Sequence, residues 1–164
     1  MDMTGIERAR GAELRDAAVA WLAAAPAADP AAPAVAAALE EATGAPSVVV
    51  RGPAGSGAGD LAAALAADPA ARDWRVRGEE GPVARRHADA LIVLDRDPGR
   101  TPPPGGAVAA PGSAPGALRE IVATLLEDAP RIAAGRVRRL KRGIAEAAAA
   151  HPSSRDGLEA LLWP

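Results

Sequence analysis

The chain has 164 residues with 17 Gly, 16 Pro, 3 Trp and no Cys, Phe or Tyr, which bounds it to one modest domain; 45 residues are Ala, so large core side chains are few. Nineteen basic against 21 acidic residues leave a net charge of -2, which argues against a surface built as a whole for nucleic acid or anionic lipid. The lack of Cys excludes thiol catalysis and cysteine zinc sites, and His87 and His151 are too few for a His-rich metal site. No apolar run approaches the roughly 20 residues of a membrane span and no signal segment opens the chain, so the cytoplasm is the expected compartment.

Thr4 to Glu7 reads as a capping box opening a helix to about Ala25, with Ile6, Leu14, Ala18, Trp21 and Leu22 as its apolar stripe. Pro26, Pro30 and Pro33 interrupt, and a short helix over Ala34 to Thr43 follows, with Gly44 expected as its left-handed cap. Residues 1–45 are thus expected to form a helical hairpin. After Pro46 the character changes. Ser47 to Arg51 is a β-branched run of the kind buried on both sheet faces. A glycine-rich loop over 52–59, a helix over Asp60 to Ala67, a strand over Trp74 to Arg77 and a buried strand within Ala88 to Asp95 come next. Residues 98–106 are too rich in Pro and Gly for regular structure, and lead to a weak strand at Ala107 to Ala110 and a helix near Ala117 to Asp128. A long helix from about Pro130 to Ala150 carries Ile132, Val137, Leu140 and Ile144 on one side, and Ser153 with Asp156 reads as a capping box for a last helix ending at Trp163. The expected fold is α/β: a small, mostly parallel P-loop-type sheet over 46–130, helical additions at both ends, and C-terminal helices from 131 packing on the core or on a partner.

Gly52-Pro53-Ala54-Gly55-Ser56-Gly57-Ala58-Gly59 lies between a strand and a helix, where a phosphate-binding loop sits, and Gly52 and Gly57 match the glycines of G-x-x-x-x-G-K-[S/T]. The chemistry does not match. Ala58 stands at the Lys position and Gly59 at the hydroxyl that ligates magnesium, so Gly52, Gly55, Gly57 and Gly59 form at most a vestigial cradle. The plain alternative is a strand-to-helix turn. A second frame, Gly57-Ala58-Gly59-Asp60-Leu61-Ala62 with Glu79 or Glu80 about twenty residues on, matches a dinucleotide fingerprint, but its first glycine lies too far beyond the strand. Asp95, with Asp97 nearby, offers an alternative magnesium carboxylate, against a blander role as a surface acid beside Arg96 and Arg100.

The order strand, P-loop-like turn, helix, strand, with Ala88-Asp89-Ala90-Leu91-Ile92-Val93-Leu94-Asp95, resembles a P-loop GTPase domain of the bacterial dynamin-like or large-GTPase type. Gly78 stands where that family's γ-phosphate-sensing D-x-x-G has its Asp, with Gly81 at the glycine. Ala110, Pro111 and Ser113 replace the Asn, Lys and Asp of its guanine-reading N-K-x-D. The resemblance therefore implies a pseudo-GTPase: no catalysis, no cofactor and no small-molecule substrate. Its implied role is regulatory or scaffolding, through a protein partner such as an intact GTPase or ATPase. A nucleotide-binding switch using loop amides and Asp95 is the rival reading.

Arg131, Arg136, Arg138, Arg139, Lys141 and Arg142 place six cations within twelve residues without an acid between them. A solvated helix face is the plain reading and an acidic protein partner the next. Peripheral membrane contact stays open, while the absence of interleaved aromatics disfavours nucleic acid. Trp21 and Trp163 are expected as core or clamp residues, with Trp163 as partner anchor in the alternative, and His87 and His151 as surface residues.

Overall fold

The computed structural model describes residues 3–81, 88–97 and 99–163, with side chains from Ala9 onward. The Thr4–Glu7 capping box and His87 therefore lie outside the described side chains. The chain divides into two compact units, one formed by Met1–Gly44 with Pro130–Pro164 and the other by Ala45–Ala129.

In the 45–129 unit, Val48, Val49 and Val50 are fully buried and form the centre of β1 (Ser47–Gly52). The chain continues through α3 (Ala58–Ala66; α1, Met3–Ala24, and α2, Ala32–Thr43, belong to the other unit) and a 3-10 turn to β2 (Arg75–Glu80). β3 (Ala90–Leu94), β4 (Gly106–Ala109) and α4 (Pro115–Leu126) follow. The four strands form one sheet in the order β2-β1-β3-β4, parallel throughout. The fold is α/β.

Register decides the faces, because alternate residues of a strand point to opposite sides. Val48 pairs with Val76 and Ala90, and Val50 with Gly78 and Ile92. Val48, Val50, Ile92 and Leu94 share one core with Ala58 and Leu65 of α3 and Leu118 and Val122 of α4, so both helices cover the same face. Val49, Arg51, Leu91, Val93 and Glu79 lie on the other. At the amino ends of the central strands, buried Asp89 accepts from the Ser47 amide at 2.9 Å, and its own amide donates to the Ser47 carbonyl at 2.8 Å. That exchange ties β1 to β3.

Gly78 has a packing reason to be glycine. A Cβ there would lie 2.6 Å from the Ala58 carbonyl oxygen and from Gly59 Cα, so the first turn of α3 rests directly on β2.

The other unit holds α1 (Met3–Ala24), α2 (Ala32–Thr43), α5 (Ala129–Ala150) and α6 (Arg155–Leu162). Its core joins Leu14 and Ala18, Val35, Leu140 and Ile144, and Leu158, one set from each helix. The hairpin and the C-terminal helices expected as separate segments thus share a core, because each apolar stripe is too thin to be buried alone. Gly44 is extended (φ -73°, ψ -173°) rather than left-handed, and α2 closes through its amide on the Glu40 carbonyl. Nor does Ser153 cap α6. The chain forms a 3-10 turn over Pro152–Ser154, and the Ser154 hydroxyl donates to Asp29 at 2.7 Å. His151, expected at the surface, is half-buried where it leads into that turn.

Candidate functional site

The glycine loop joins β1 to α3. Gly55 and Gly57 take left-handed backbone (φ 74° and 76°), conformations that only glycine adopts without strain, and the Ser56 amide donates to the Pro53 carbonyl at 3.0 Å. These turns aim the Gly55 and Ala58 amides at a common point, as a phosphate cradle does.

A carboxylate of the chain itself occupies that point. Glu80, last residue of β2, lies by register on the face that α3 covers, and α3 starts beside it. The Gly55 amide donates to Glu80 Oε2 at 3.0 Å and the Ala58 amide to Oε1 at 2.9 Å. The Gly55 amide does most to hold the Glu80 carboxyl below its ordinary range; desolvation opposes it, and the amides of Ala58, Gly59 and Gly57 add to the lowering. The negative charge also sits at the positive end of α3.

Asp95, just beyond β3, is engaged as well. It accepts from the Asp97 amide at 3.0 Å and from Arg100 Nη1 at 2.6 Å; that amide first and the guanidinium second lower its pKa. On the opposite sheet face, Arg51 donates through Nε and Nη2 to Glu79 Oε2 at 3.2 and 2.7 Å, a pair set directly opposite by the β1–β2 register. A cavity of about 690 Å³ opens at the carboxyl ends of β1 and β3, lined by the loop over 52–56, Leu91, Val93, Asp95 and Arg100. Among the described residues no group of three or more His, Asp or Glu is placed to hold a metal ion.

Set beside a phosphate-binding loop, Ala58 offers a methyl group where the lysine stands and Gly59 no hydroxyl, a Cβ at Gly78 would meet the α3 backbone, and the Gly55 and Ala58 amides are engaged by Glu80. In the turn after β4, the Ser113 hydroxyl donates back to the Ala110 carbonyl at 2.8 Å.

The basic run on α5 does not form one face. Arg138, Lys141 and Arg142 are exposed, at spacings of three and four that share one side of the helix, whereas Arg131, Arg136 and Arg139 are half-buried and Arg136 donates to the Ala42 carbonyl at 3.4 Å. Trp21 packs against its unit's core, whereas Trp163, also expected as a core or clamp residue, is 82% exposed. The sequence offers Glu80 only as one of two acids, with Glu79, in a dinucleotide frame set aside above, and its place in the loop was missed. The signal was parity: Glu80 stands two residues beyond Gly78, on the same sheet face.

No family model matches the chain, and comparison with curated proteins and with solved structures finds no significant match to either. No helix among the described residues is long and apolar enough to cross a membrane.

Proposed function

We propose that the chain is a non-catalytic pseudo-GTPase that works as a regulatory or scaffolding subunit, binding a protein partner such as an intact GTPase or ATPase. The observation that carries this reading is the Glu80 carboxylate, held by Gly55 and Ala58 where a transferred phosphate would need those amides. A triphosphate would have to expel a like charge without Lys or magnesium to offset its own. The all-parallel sheet agrees with the α/β fold that the reading assumes. Partner binding draws support from Trp163, a large apolar side chain left 82% exposed where aromatics are scarce, and from the Arg138, Lys141 and Arg142 face of α5.

Two measurements test the two halves. Calorimetric titration with GTP, GDP or ATP plus magnesium gives no saturable heat at millimolar nucleotide; a saturable isotherm contradicts the reading. Affinity purification of the tagged chain from its native cells recovers an NTPase in stoichiometric amount, and Trp163→Ala lowers that recovery severalfold. Recovery of no such partner contradicts the partner-binding half.

A further inference from the structure

Glu80 fills the amide cradle, but the cavity beside the loop is a different space. Its position follows from topology. From β1 the chain passes to β2 on one side, and from β3 to β4 on the other, so the connections diverge at the carboxyl ends of the two central strands. Open parallel sheets bind ligands in the crevice that such a divergence leaves. At about 690 Å³ the cavity has the capacity of a small-molecule site.

Its lining is apolar with a cationic rim. Leu91 and Val93 contribute half-buried aliphatic side chains from the face of β3 turned away from α3 and α4, and Pro103 and Pro111 add apolar wall. Three guanidinium groups belong to the same lining. Arg51 is paired with Glu79 and Arg100 with Asp95, whereas Arg96 is exposed and has no acidic partner among the described residues. Of the three, Arg96 is the guanidinium without a carboxylate pair, at the edge of an apolar hollow. Ser56, whose hydroxyl is buried without a hydrogen-bond partner among the described residues, lines the hollow too.

We propose that this cavity binds a small organic monoanion, its apolar body against Leu91 and Val93 and its acidic head at Arg96. The site needs neither the loop amides nor a metal, so it stands whether or not the pseudo-GTPase reading does.

The probe for the test is 1-anilinonaphthalene-8-sulfonate, an apolar body with one negative charge, and the uncharged N-phenyl-1-naphthylamine is its control. The full-length protein binds the sulfonate saturably at one site with a rise in fluorescence, and the methyl resonances of Leu91 and Val93 shift as the site fills. Arg96→Ala weakens binding roughly three- to tenfold and Arg96→Glu further, as expected for losing one partly exposed charge contact, while the neutral control binds both variants alike. Arg15→Ala, which removes an exposed cation from α1, leaves binding unchanged. Circular dichroism confirms that each variant is folded. The inference is overturned if the sulfonate does not bind, if Arg96→Ala and Arg96→Glu bind it as tightly as the parent, or if the shifted methyl groups lie elsewhere.

Discussion

Glu80 is the residue on which the site turns. A carboxyl whose folded pKa is depressed stabilises the folded state fully above its unfolded value, here the ordinary 4.5, and loses that contribution as pH falls through the folded pKa. Glu80→Gln keeps the shape and removes the charge. The melting temperature of the parent should therefore exceed that of Glu80→Gln at pH 7, and the gap should close as pH is lowered below about 4.5. Asp95, also depressed, titrates in both proteins and cancels in the difference. A gap that does not change with pH would show that the carboxylate is not held by the amides. Gly78 makes a second case at this scale. Gly78→Ala drives a methyl group into the α3 backbone, at a cost of about 1–3 kcal/mol by denaturant unfolding. If stability is unchanged, α3 does not rest on β2 as described.

At the scale of elements, the sequence was readable wherever one segment carries its own signal. Three consecutive valines announced β1, and the 3.6-residue spacing of Leu140 and Ile144 announced the buried side of α5. Reading failed where the deciding partner lies far along the chain. α3 begins at Ala58, two residues earlier than expected, where the Ala58 amide is met by Glu80, 22 residues away. β2 extends to Glu80 because β1 supplies a pairing partner as far as Gly52, which local propensity at Gly78-Glu79-Glu80 does not foretell. Ser153 has the right spacing for a cap, but a 3-10 turn and the Ser154–Asp29 contact take precedence. Gly78 was read as a lost aspartate, and only the packed structure supplies its reason.

At the scale of the molecule, the alternation of strands and helices was enough to anticipate an α/β fold with a parallel sheet. The grouping of the terminal helices was not, because four thin stripes give no sign of which pairs with which until they are packed. Two parts of the sheet-bearing unit are distinct in chemistry: an amide cradle filled by the chain's own carboxylate, and a hollow edged by Arg96. The filled cradle is what separates this loop from a phosphate-binding one. Proton–nitrogen correlation spectra of the whole chain, recorded across pH and then with magnesium and ATP or GTP, read that cradle directly. The Gly55 and Ala58 amide resonances should move together with one midpoint below 4.5, lose that movement in Glu80→Gln, and stay fixed when nucleotide is added at neutral pH. Amides that ignore pH but shift on adding nucleotide would contradict the account.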